Sequence, residues 1–87
     1  MLYVFSEIMK ITGYKKKDTE LEGLMEMESI AIAASAETIR ELAKFLNHAA
    51  DVMDEMGTDY DHLHLMDEWD NWKEGLPDLQ IISEKYI

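Results

Sequence analysis

A chain of 87 residues with a formal net charge of −11 and 47 % hydrophobic side chains is too apolar to stay disordered, and too acidic to favour nucleic acid or anionic lipid. It has no cysteine, which excludes a disulfide framework, a zinc–thiolate site and a thiol nucleophile. No run approaches the ~18 apolar residues of a membrane span, and the opening MLYVFSEIMKITGYKKK carries its lysines after the apolar part with no small-residue cleavage site, so one cytoplasmic domain over residues 1–87 is expected.

In chain order, Leu2 to Thr12 is apolar and reads as a first strand. GYKKKDT is a polar turn, with Gly13 available for positive φ. Leu24 to Ala34 reads as a second strand in which Glu26 and Glu28 share a parity with Ile30 and Ile32, two residues expected to face the core. A bulge near Glu28–Ser29 reconciles them. Ser35 is a good N-cap and Glu37 suits the positive end of the helix dipole. The helix is expected over Ala36–Met56, ending at Gly57. Ile39, Leu42, Ala43, Leu46, Ala50 and Met53 form its core stripe. Phe45, Ala49, Val52 and Met56 widen that stripe on a flank that packs under a loop or a second copy. Tyr60–Met66 is a third strand and Leu79–Ser83 a fourth, with the tail EKYI as its candidate extension. A long loop ending at Pro77 lies between them.

The fold class is therefore α+β in the order ββαββ. The helical crossover makes the second and third strands run the same way, so inserting the fourth between them gives a mainly antiparallel four-stranded sheet of order 1-2-4-3. The apolar pair Ile81–Ile82 argues for a central fourth strand. The long helix covers one face, and the other is open or used by a partner.

Charge is unevenly spread. Residues 1–17 sum to +3, leaving −14 for residues 18–87, and Asp51 to Glu74 holds nine acids against one lysine. Such a surface attracts a basic partner, although solubility alone is the plainer explanation. Asp51, Asp54 and Glu55 crowd the helix C-terminus, where the dipole favours cations, which suggests that negative potential there serves something outside the fold. His62 and His64 point to one face of a strand, with Asp59, Asp61, Asp67 and Glu68 nearby, so a metal-binding protein is one alternative. Spacing fixes no third ligand, and no metal or cofactor is expected. No phosphate-cradling loop and no nucleophile elbow is present, and one small sheet leaves little room for a deep pocket, so the expectation is a protein that is not an enzyme. Lys15–Lys17 lacks interleaved aromatics and reads as a solvated hairpin tip. Trp69 is expected to fold onto the helix flank near Phe45 and Val52, whereas Trp72 is the better candidate for an exposed anchor.

ASAETIRELAKFLNHAADVM, followed by YDHLHLMDEW and PDLQI, resembles a family of small bacterial immunity proteins from polymorphic toxin systems, over roughly residues 29–82. The H-x-H strand running into Asp67-Glu68-Trp69 is its most telling part. The resemblance implies an α+β fold, no catalytic activity of its own, and a toxin or effector domain as partner. On that basis Asp54, Glu55, Asp59, Asp61, Asp67, Glu68 and Asp70 would steer and pair with cations of a basic partner, while Trp72, Tyr60, His62 and His64 would supply desolvated anchors. The rival from another class is a structural or regulatory homodimer joined through an exposed sheet face or edge.

Overall fold

The computed structural model describes residues 8–17 and 24–87. Two strands, β1 (Met9–Lys15) and β2 (Met27–Ala34), lead into α1 (Ala36–Met56). A 3₁₀ turn at Gly57–Asp59 is followed by β3 (His62–His64), a single helical turn α2 (Leu65–Glu68) and β4 (Gln80–Ile82). A second 3₁₀ turn spans Glu84–Tyr86. The fold is α+β and the ββαββ order holds. The single four-stranded sheet does not: β1–β2 and β3–β4 are two separate antiparallel pairs. Both outer pairings of the expected order form, and the central pairing of β2 with β4 is absent. The reason is length. β3 turns helical at Leu65, whose N–H still reaches the Leu79 carbonyl at 2.8 Å. That leaves β4 three residues long, too few rungs to join an eight-residue β2.

The β1–β2 register runs from Met9↔Ala34 to Tyr14↔Ser29 and then jumps to Lys15↔Met27, leaving Glu28 unmatched. This is the expected bulge, and it restores the alternation that the glutamates break. Gly13 is a correction. It lies inside β1 rather than in a turn and has no positive φ. A Cβ there would sit 2.6 Å from the Ser29 carbonyl oxygen, so glycine is required by close approach of the two strands. The leading residues of the expected first strand, 2–7, and Asp18 and Thr19 of the expected turn lie outside the described residues. Ile30 and Ile32 share the face of Met9 and Ile11 but are 55 % and 39 % exposed. Here the expectation fails because the core beneath the hairpin ends near Ile11, and the strands run past it.

Ser35 caps α1 as expected: its Oγ accepts the Thr38 N–H at 3.1 Å and lies 3.2 Å from the Thr38 hydroxyl. Thr38 is buried, so Ser35→Ala strands both groups, and we expect a loss of about 1–2 kcal/mol in urea unfolding. At the other end Gly57 adopts φ 58° and donates its N–H to the Met53 carbonyl, ending the helix. Twenty-one residues make it roughly 32 Å long. The buried side of α1 is Thr38, Leu42, Phe45 and Ala49. Of the expected stripe, Leu42 is in the core, while Ile39, Ala43, Leu46 and Ala50 are exposed; of the expected flank, Phe45 and Ala49 are buried. The helix has rotated its apolar arc toward the flank because the core is built from Met9, Leu42, Phe45, Leu65 and Leu76. Two of these come from α2 and the following loop, which therefore act as a wall of the core.

Ile81 is half-buried and Ile82 is 51 % exposed, so β4 is not the covered central strand. The tail does not prolong β4 either. Ser83 accepts the Lys85 N–H on its side-chain oxygen and turns the chain into the terminal 3₁₀ turn. Among the described residues, no helix is long and apolar enough to cross a membrane.

Candidate functional site

The C-terminal half of α1 carries no basic residue in its last turn. Its unpaired carbonyls and its acids therefore reinforce one another instead of cancelling. His48, Asp51 and Glu55, three and four residues apart, lie on one stripe of the helix. His48 Nε2 is 3.5 Å from Glu68 Oε2, which sets α2 beside that stripe. Asp67 lies in α2 and Asp70 just beyond it, while Asp54 lies in the last turn of α1 and Asp59 in the 3₁₀ turn that follows. Asp54, Glu55, Asp59, Asp67 and Asp70 are all exposed, and none makes an ion pair among the described residues. Asp54 also lines an open groove of about 850 Å³ together with Met53, Tyr60, Ile82 and Tyr86.

Asp61 behaves differently. Its Oδ1 accepts the Tyr86 hydroxyl at 2.5 Å and lies 3.2 Å from Lys85 Nζ, while its Oδ2 is 2.6 Å from His62 Nδ1. The hydrogen bond from Tyr86, then those from His62 and Lys85, hold its carboxyl well below the usual carboxylate range. The same bond pushes the Tyr86 phenol up. This carboxylate is engaged by the chain's own C-terminal turn, so it pins that turn and offers less charge to a partner than its exposed neighbours.

His62 and His64 stand on one face of β3 with ring centres 4.9 Å apart and planes at 88°. Each has its Nδ1 against a carboxylate: Asp61 for His62, and Asp78 for His64 at 2.5 Å. Asp78 was missed in the sequence. The signal was available in register, because pairing His64 with Gln80 brings the residue two before Gln80 across from the end of β3. Asp78 Oδ1 also accepts the Met66 N–H at 3.0 Å. Burial favours the protonated carboxyl, but hydrogen bonds from His64 and from the Met66 and Leu79 amides outweigh it and lower the pKa. A lowered carboxyl adds stability above its unfolded value of about 3.9 and loses it as pH falls through the lower folded value. Asp78→Asn should therefore destabilise by about 1 kcal/mol at neutral pH. Urea midpoints of the two proteins should converge below about pH 4.

The aromatic residues fall inward. Tyr60 is 3 % exposed and donates its hydroxyl to the Ile81 carbonyl at 2.5 Å, so it ties the helix exit to β4 and is not a surface anchor. Trp72 is half-buried against the core and donates Nε1 to the Pro77 carbonyl at 3.0 Å, closing the loop it was expected to project from. Trp69 packs against the same core, as expected, with its Nε1 buried and, among the described residues, without a hydrogen-bond partner. A loop of this length needs internal apolar anchors, and two tryptophans beside Leu76 provide them. Among the described residues, no group of three or more His, Asp or Glu is arranged to hold a metal.

A family model described as Immunity protein 32 matches residues 29–85. The chain belongs to this immunity-protein family. The match runs from β2 through the C-terminal turn, so α1, the acidic corner and the His62–His64 strand are all within the shared region, and β1 precedes it. No curated protein and no solved structure matches the chain. Membership of an immunity-protein family implies a toxin as the counterpart.

Proposed function

We propose that this Immunity protein 32 family member is a non-enzymatic, cytoplasmic inhibitor that neutralises a basic toxin domain by binding it directly. Asp54, Glu55, Asp59, Asp67 and Asp70 steer and pair with its lysines and arginines. Glu68 contributes beside His48, and Asp61, His62 and His64 stand at the edge of the contact. Tyr60 and Trp72 serve from beneath by holding the backbone that presents these groups. The observation that carries the reading is that Asp54 and Glu55 at the end of α1 are exposed, make no ion pair among the described residues and oppose the helix dipole, an arrangement that costs stability. The test uses the C-terminal domain of a secreted protein encoded beside this one. Co-expression should protect a cell from that domain, and association of the purified pair should slow as ionic strength rises. Failure to protect, or association indifferent to salt, would overturn the reading.

A second reading, a homodimer, is favoured by a separate observation. Met27, Ile30 and Ile32 of β2 and Ile39 and Leu46 of α1 are each about two-fifths exposed or more. A two-stranded hairpin with an uncovered apolar face is marginal in water, and a stable interface covers roughly 800 Å² on each partner. Pairing through this face would leave the acidic corner free for a toxin. Sedimentation equilibrium should give a dimer that Ile30→Glu with Ile32→Glu converts to monomer; a monomeric unsubstituted protein would exclude it.

A further inference from the structure

We propose that β3 carries a two-imidazole chelating site for a divalent transition-metal cation, with Nε2 of His62 and Nε2 of His64 as the ligands. This inference stands apart from toxin binding, since it concerns the bare protein and a bare ion. Three features support it. Alternation on a strand puts residues two apart on one face, and the ring contact shows that these two side chains do converge there. Each Nδ1 is already held by a carboxylate oxygen, Asp61 Oδ2 at 2.6 Å and Asp78 Oδ2 at 2.5 Å. A neutral imidazole that donates Nδ1–H to a carboxylate has its lone pair on Nε2, and the carboxylate raises the basicity of that nitrogen; this is the usual outer partner of a metal-bound histidine. The spacing also fits. Imidazoles bound at about 2.0–2.1 Å, at angles between square and tetrahedral, place their ring centres about 4.5–5.2 Å apart, against 4.9 Å here.

The side chains are accessible, His62 at 45 % and His64 at 26 %. An incoming ion therefore meets the pair without opening the core. Because no third ligand is grouped with them among the described residues, two imidazoles fill two positions and water, or a donor from a bound protein, fills the rest. Nitrogen donors select copper, nickel and zinc over magnesium and calcium, and among these Cu²⁺ should bind most tightly. The acids of the corner lack this preference, so ion selectivity separates the site from nonspecific attraction to a negative surface.

The experiment is titration of the full chain with Cu²⁺, Ni²⁺, Zn²⁺ and Mg²⁺ salts, followed by calorimetry and by the imidazole proton resonances. The expected result is saturation at one equivalent by the three transition metals, tightest for copper, with His62 and His64 resonances responding and those of His48 not. His62→Asn and His64→Asn, which keep a polar side chain at each position, should each abolish that binding, whereas His48→Ala should leave it intact. Asp78→Asn should weaken it roughly 10–100-fold through loss of the outer carboxylate. Absence of saturable binding, or binding that survives His62→Asn combined with His64→Asn, would overturn the assignment. So would an equal response to Mg²⁺.

Discussion

Replacing Asp54, Asp59, Asp67 and Asp70 together with asparagine should slow association with the cognate toxin by about 10–10³-fold at low ionic strength. The difference should close at high salt, where the screening length falls to about 3 Å at 1 M. Dissociation should change less, because exposed charges act mainly on encounter. Asp61 and Glu68 are left in place because they contact Lys85, Tyr86 and His48 within the chain, and changing them would mix folding with binding. Stability supplies an internal control. Removing acids from the negative end of α1 should raise stability by a few tenths of a kcal/mol, since Asp54 opposes the helix dipole. Slower binding by a slightly more stable protein cannot come from misfolding. Stopped-flow association over a salt series, with urea unfolding of the same samples, reads both signs; an unchanged low-salt rate would remove the electrostatic mechanism.

Leu42→Ala should destabilise by about 2–5 kcal/mol, since it empties part of the cluster where Leu42, 4 % exposed, meets Met9, Phe45, Leu65 and Leu76. At roughly 0.05–0.15 kcal/mol per residue, a chain of this length has ~4–13 kcal/mol in total, so the variant loses a large share of its stability. Leu46→Ala, one turn further on and 47 % exposed, should cost under about 1 kcal/mol. The two are compared by urea midpoints at constant m value. Equal costs would show that the helix presents the other side to the core. If the Leu46 side is instead covered by a second copy, its loss should appear as weaker self-association rather than as lower monomer stability.

That contrast marks how far the sequence could be read. Both leucines are apolar at helical spacing with Ile39 and Ala43, and the arc from Phe45 to Met56 is equally apolar, so periodicity allowed two adjacent faces and gave no means to choose. The choice rested on α2 and the Trp69–Leu76 loop, which pack against Leu42 and Phe45 and pull that side of the helix inward. The candidate site divided in the same way. The excess of acid and the missing basic residues at the helix end were visible as composition. Aromatic residues in an acidic segment, such as Tyr60 and Trp72, suit an interface by composition alone; the hydrogen bonds that turn them inward, to Ile81 and Pro77, link positions 21 and 5 residues apart.

The sequence by itself determined the elements whose causes are local: the Ser35 cap, the span of α1, its arrest at Gly57, the bulge at Glu28, the α+β order and the concentration of negative charge. Apart from the bulge, which also needs β1 opposite it, each depends on neighbours within a few residues, and backbone geometry and hydrogen bonding act at that range. Only the tertiary structure decided that the strands form two pairs, which side of α1 is buried, which carboxylates stay unpaired, and that Asp78 meets His64. Those outcomes depend on how segments far apart in the chain compete to bury the same few core residues, and local pattern does not record the result of that competition.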